Sequence, residues 1–218
     1  MKSRFIYIML SIMLVIVVSP YIRSTGKTGH IITTLLAAMV PLTSFYALTA
    51  DRKRAIIILF LAAPFVILDG MSMFFANGYL LIAAISFGVI LYFYIVVLLV
   101  NNLLSYRVIT ADLIYCAIST YFLIGVMWAG IYMVLEGISP GSFSGISEAG
   151  DLLYFSFVTL TTVGFGEITP LTIISKRLAV FEAAMGCIYL AVIIAMIVGR
   201  YMSMAEKQDS ESDINFKK

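Results

Sequence analysis

Charge is scarce in this sequence: only 12% of its 218 residues are Asp, Glu, Lys or Arg, against 62% apolar, and the mean hydropathy is +1.06. So little charge cannot solvate a globular surface, which excludes a water-soluble domain and implies a chain that crosses a membrane several times. The net charge is +2, and the basic residues are scattered between apolar runs rather than clustered. That argues against a nucleic-acid partner. His30 is the sole histidine, so one chain cannot build a histidine-based metal site. Cys116 and Cys187 both fall in apolar stretches, where a cysteine is expected to be a small buried hydrophobe, and no disulfide is expected. There is no HExxH, no nucleophile elbow and no phosphate-binding loop, so nothing points to an enzyme.

What the sequence has in abundance is long apolar runs. The first, residues 4–19, follows Lys2 and begins with Arg4. A secretory signal begins in the same way, but no small-residue cleavage pattern precedes Pro20, and the run reads as an uncleaved first span. A second span is expected over Ile31–Thr49, with Pro41 inside it. After the cluster Asp51 to Arg54, a third runs from Ala55 to about Phe75 through Pro64. Prolines are tolerated in lipid-embedded helices, usually as kinks. Asn77 and Gly78 turn the chain into a fourth span, Tyr79–Val100, which contains no Lys or Arg. A voltage sensor needs several such charges on one helix, so residues 1–100 read as a four-helix region without voltage-sensing charge. Residues 101–112 read as an interfacial linker on the cytoplasmic side. A fifth span, Leu113 to Leu135, carries Trp128 and Tyr132 near its end, where aromatic rings favour the headgroup layer.

The loop 137–147, rich in Gly and Ser, leads to a helix expected over Glu148–Thr161, with Ser147 as its N-cap and Glu148 and Asp151 in its first turn. That helix is too short to cross hydrocarbon and reads as re-entrant. Its carboxyl end meets the stretch Thr161, Thr162, Val163, Gly164, Phe165, Gly166, Glu167. Glycines at alternate positions allow backbone angles closed to other residues, so successive carbonyls can point the same way and replace the water around a cation. The Thr162 hydroxyl adds one more oxygen, while Val163 and Phe165 are expected to point back into protein.

The run Thr162 to Gly166 resembles the selectivity filter of tetrameric pore-loop potassium channels. The likeness extends to Tyr154, Phe155 and Ser156 before it and to Glu167, Ile168, Thr169 and Pro170 after it. Phe165 stands where members more often carry Tyr, and Glu167 where Asp is commoner. The lost Tyr hydroxyl removes a hydrogen bond that would stiffen the filter. The resemblance implies potassium ions bound at Thr162, Val163, Gly164 and Phe165, filter support from Thr161 and Glu167, and no cofactor beyond the permeant ion. It also implies a six-span, bacterial type of channel without voltage-sensor arginines. The competing readings are a weakly selective monovalent cation channel and a potassium transporter membrane subunit.

The last span is expected over Leu171–Gly199. Gly186 lies 24 residues past Thr162, where the resembled channels keep a hinge glycine, although glycine equally marks a close approach of helices. Glu182 is the one acid in that span, read either as a brace behind the filter or as a pH-sensing group. Residues 113–200 thus form the expected pore domain, and 201–218 a short cytoplasmic tail, disordered at its end. With both termini cytoplasmic, ten Lys and Arg fall inside against four outside, which supports that orientation in the cell membrane. One such strand cannot surround an ion, whereas four related by rotation can, so a homotetramer in the lipid bilayer is expected. The expected fold class is all-α: six transmembrane helices with a re-entrant pore helix and filter between the fifth and sixth.

Overall fold

The computed structural model describes residues 4–23, 26–48, 52–75, 77–106, 108–148 and 150–216. Lys2, Asp51, Arg107, Lys217 and Lys218, all used in reading the charge pattern, lie outside the described residues. The chain is built from α1 (Phe5–Arg23), α2 (Lys27–Ala47), α3 (Arg52–Phe75), α4 (Gly78–Ser105), α5 (Ala111–Ile138), α6 (Asp151–Leu160) and α7 (Ile173–Phe216). Two short strands, β1 (Phe143–Ser144) and β2 (Thr169–Pro170), pair antiparallel. Five helices are long and apolar enough to cross a membrane, over Thr28–Ala47, Ile56–Phe75, Gly78–Ser105, Ala111–Ile138 and Ile173–Ser203. The apolar part of α1, Phe5–Ser19, is shorter, as is α6.

Most helices outrun their apolar cores. Asn77 caps α4 by accepting from the Tyr79 amide at 2.9 Å, and Thr110 caps α5 by accepting from the Leu113 amide at 3.3 Å. The expected linker 101–112 therefore shrinks, because α4 continues to Ser105 and α5 starts at Ala111. The tail, expected to be disordered at its end, is helical as far as Phe216. Extending an existing helix needs no new nucleus, and Met, Ala, Glu, Lys and Gln in that stretch are good helix formers.

Helices α1 to α5 pack in a closed ring of neighbours, α1 against α2, α2 against α3, α3 against α4, α4 against α5 and α5 against α1, with α6 against α5 and α7 against α6. In lipid, association rests on close packing and on hydrogen bonds rather than on escape from water. Ile8 and Ile12 of α1 share a face at helical spacing and are fully buried, as are Leu91, Ile95 and Leu99 of α4. Gly88 continues the α4 stripe and lets the Phe65 ring in; a Cβ there would lie 3.1 Å from the ring. Pro41 cannot donate to the Ala37 carbonyl one turn before it, and the Tyr92 hydroxyl donates to that carbonyl instead, at 3.4 Å. By contrast α7 leaves most of its apolar surface open, including Ile173, Val180, Phe181, Ile188 and Ile194.

Candidate functional site

The segment after α6 is set up by how that helix begins. The first residue, Asp151, accepts from the Ser147 amide at 2.7 Å, the Ser147 hydroxyl at 3.1 Å and the Glu148 amide at 2.8 Å. Gly150, not Ser147, occupies the N-cap position, and the expected helix start moves from Glu148 to Asp151. The carboxylate reaches back to the turn instead of a hydroxyl reaching forward. Partial burial raises the Asp151 pKa, but these three bonds outweigh it and hold the carboxyl below its ordinary value.

At its far end α6 stops at Leu160, and the next amides fold back onto it. Thr161 N–H donates to the Phe157 carbonyl at 3.0 Å and Thr162 N–H to that of Thr159 at 3.0 Å. Val163 and Gly164 N–H both donate to the Val158 carbonyl, at 2.9 and 3.3 Å. The Thr161 hydroxyl also turns back, to the Phe157 carbonyl at 2.6 Å. Among the described residues, no hydrogen bond ends on a carbonyl of Thr162 through Gly166. Donors are used inward, and five successive acceptors remain unspent.

Backbone angles explain why those acceptors can share a side. Thr162, Gly164 and Gly166 have φ of +59°, +56° and +90°, whereas Val163 and Phe165 are not in the positive-φ region. In an ordinary extended strand, carbonyls alternate in direction. Inverting every second residue cancels that alternation and leaves a row of oxygens on one side. Two of the three inverted positions are glycine, which adopts them freely, and Thr162 is the only non-glycine residue with positive φ among the described residues. One expectation about this strand is corrected: Val163 and Phe165 are 54% and 72% exposed, not packed into their own chain. The wall they were expected to meet is not supplied by the single chain.

Beyond Gly166 the strand is tied down on both sides. Glu167 accepts from the Tyr154 hydroxyl on α6. Gly145, at φ +76°, passes so close that a Cβ there would lie 2.2 Å from the Glu167 carbonyl oxygen. The β1–β2 pair fastens the loop to the strand exit, reinforced by the Ser144 and Thr169 hydroxyls at 2.6 Å. Ser175 at the start of α7 donates to the Ser142 carbonyl at 2.9 Å. Glu136 holds the loop from below, accepting from the Gly141 amide at 2.6 Å and the Phe143 amide at 3.2 Å.

Behind α6 lies a buried polar contact. Glu182, fully buried on α7, accepts from the Tyr132 hydroxyl of α5 and lies beside the Ser156 hydroxyl of α6, each at 2.5 Å. Ser156 Oγ is also 2.8 Å from the Gly125 carbonyl, so its single proton sits between two acceptors and three helices meet there. Tyr132 and Trp128 are therefore interior residues, not headgroup aromatics: they are 0% and 4% exposed. The Tyr132 ring packs edge-on against Phe143 and Phe155, at 5.3 and 5.2 Å between centroids. One helical turn beyond Glu182, a Cβ on Gly186 would lie 2.2 Å from the Leu160 carbonyl oxygen, so this glycine is a point of close approach. Cys187 is exposed, contrary to expectation, because α7 is covered on one side only; Cys116 is buried.

Sequence reasoning did not single out Gly145, Ser156, Tyr132 or Glu136 for these roles. Gly145 alone carried a signal, as a glycine in a loop facing the strand exit. Among the described residues, no group of three His, Cys, Asp or Glu side chains could hold a metal ion.

A family model described as an ion channel matches residues 120–203. Over 80 residues the chain is 39% identical to Protein LctB of Geobacillus stearothermophilus, covering 33% of this chain and 59% of that protein. It is 34% identical over 68 residues to the inward rectifier potassium channel Kirbac3.1 of Paramagnetospirillum magnetotacticum, covering 31% of this chain and 21% of that one. It is 36% identical over 56 residues to two-pore potassium channel 4 of Arabidopsis thaliana, covering 26% and 20%. The chain thus spans from a fifth to about three-fifths of the length of these relatives. No solved structure matches it. Over residues 120–203 the chain is thus similar to ion channels, two of the relatives being potassium channels by name.

Proposed function

We propose that this protein is a potassium-selective channel, conducting passively through a pore made by four copies of the chain. The observation that carries the reading is the strand Thr162–Gly166, with φ inverted at every second residue and its carbonyls unspent. Four such strands about an axis form successive oxygen cages from the carbonyls of Thr162, Val163, Gly164 and Phe165, with the Thr162 hydroxyl as the innermost layer. Ions in neighbouring cages repel one another, which lets tight coordination coexist with throughput.

The fourfold assembly is supported by what one chain leaves uncovered. Val163, Phe165 and the apolar face of α7 are exposed in the single chain, and copies around an axis cover them. In this reading α1 is a sixth span and α6 is re-entrant, tolerated at membrane depth because protein surrounds it. Residues 1–100 form the peripheral four-helix region, 113–200 the pore domain and 201–218 a cytoplasmic extension. Both termini face the cytoplasm of the cell, and Glu136, Glu148, Asp151 and Glu167 line the outer side, where negative charge concentrates cations. Thr161 and Glu167 support the filter, the latter through Tyr154, and Glu182 and Gly186 brace the inner helix against α6.

Reversal potentials of the purified protein in liposomes, with sodium substituted for potassium on one side, test the reading. A shift close to the potassium equilibrium potential is expected. A reversal near zero under that gradient would favour the weakly selective cation channel, and absence of flux from assembled protein would reject conduction.

A further inference from the structure

Away from the candidate filter strand, helices α1 to α6 line a half-open cavity of about 150 Å³. Its wall is mostly apolar; Ser19 of α1 and Tyr92 of α4 also line it, and α2 and α3 bring His30, Thr33, Thr34 and Asp69 together along one edge. Asp69 is only 8% exposed, and the His30 Nε2 atom lies 3.2 Å from its Oδ2. Among the described residues, no Lys or Arg lines the space.

The hydroxyl protons at this edge already have acceptors within the protein. Thr33 donates to the His30 carbonyl at 2.8 Å, and Thr34 lies between that carbonyl, at 2.9 Å, and the Asp69 carboxylate. Tyr92 donates to the Ala37 carbonyl that Pro41 leaves unpaired. What the edge offers an occupant is therefore acceptance, concentrated in one buried carboxylate. A carboxylate removed from water is costly unless a cation or several donors face it. The rings of Phe65 and Tyr92, 6.4 Å apart between centroids, also line the space, and aromatic rings attract cations.

We propose that this cavity binds a small hydrophobic ammonium ion, its N–H groups on Asp69 and its apolar body among the α4 and α5 side chains. Size sets the class. A dry engineered cavity of about 150 Å³ accepts benzene, so one ring with a short arm fills this space. Access has a visible route, because His30 also lines an open groove beside Gly26, Asn77 and Gly78, at the end of the bundle where α3 turns into α4. The imidazole stands between groove and cavity, and an ammonium that displaces it takes over its place on Asp69. At its inner end the cavity touches Leu153 in the first turn of α6, so an occupant contacts the helix that carries the candidate filter.

The test is a calorimetric titration of the full chain in detergent micelles with benzylammonium, and with benzyl alcohol as its uncharged counterpart. One benzylammonium per chain is expected, at least about tenfold tighter than the alcohol. Asp69→Asn should remove that preference, and Val126→Phe, which fills the cavity from α5, should remove binding of both. Equal affinity for the two probes, no binding of either, or binding that survives Val126→Phe overturns the proposal. If a variant fails to fold, the two-probe comparison on the unaltered chain decides by itself. The titration reads no ion flux, so its failure and the failure of the channel reading are separate results.

Discussion

Substituting Gly186 by alanine tests how the inner helix is held against α6. The added methyl would lie 2.2 Å from the Leu160 carbonyl oxygen, 3.1 Å from the carbonyl carbon and 3.1 Å from Leu160 Cδ1. Ordinary carbon–oxygen contact is about 1 Å longer, so either the helices part by about that much or the clash stays. The carbonyl cannot swing aside easily: it belongs to the last residue of α6, and the Tyr121 hydroxyl donates to it at 3.3 Å. Overpacking of this kind costs about 1–3 kcal/mol per chain. Because Leu160 directly precedes Thr161 and Thr162, a displacement there also moves the inner end of the candidate filter. The matched control is Gly199→Ala on the same helix, where a Cβ meets nothing within 4 Å. Alanine should stabilise the helix there by about 1 kcal/mol. The assay is the temperature at which detergent-solubilised assemblies dissociate, followed by potassium flux of the surviving assemblies in liposomes. Gly186→Ala should lower both, and Gly199→Ala should lower neither. If the two variants behave alike, the close approach does not hold α7 in place and the reasoning fails.

Three further outcomes are expected. Glu182→Ala leaves the Tyr132 hydroxyl without its acceptor and a hole between three helices, and should destabilise by about 2–4 kcal/mol. Glu182→Gln, which keeps shape and acceptor, should recover most of that in thermal unfolding, and equal loss in both variants would show that charge rather than fit is needed. At Asp151 the folded carboxyl is held below its ordinary value of 3.8, so its contribution is present above that pH and is lost as pH falls through the lower folded value. Stability against pH should therefore drop on the acid side for the native chain and flatten for Asp151→Asn, with a difference at neutral pH of about 0.5–1 kcal/mol for this exposed group. Finally, α4 contains no Lys or Arg over Gly78–Ser105. Each charge moved through the field supplies about 2.3 kcal/mol per 100 mV, so conductance in symmetric potassium should vary only weakly with voltage. A steep, saturating conductance–voltage curve would contradict this.

The candidate filter strand was legible because its chemistry is written in consecutive residues: alternate glycines and flanking threonines need no tertiary information to be noticed. Glu182 stood out for a similar reason, as an acid in an apolar run. Its partners did not, because Ser156 and Tyr132 are ordinary residues for a membrane helix and lie 26 and 50 positions away. Distance in sequence also hid the pairing of His30 with Asp69. Helix ends were missed where apolar content under-reports length, since capping by Thr110 and continuation past Val100 and Arg200 do not depend on hydrophobicity. Which protein surface backs Val163 and Phe165 was not legible, because the single chain leaves both exposed.

The inverted φ at Thr162, Gly164 and Gly166 has a stereochemical meaning. A strand whose residues alternate in hand has the backbone of a peptide built from alternating L- and D-amino acids, and glycine stands in for the D-residues that ribosomal synthesis does not supply. At Gly164 or Gly166, where a side chain meets open space, the obstacle to L-alanine is its hand rather than its bulk. A mirror-image alanine introduced there by chemical synthesis fits the same backbone without strain.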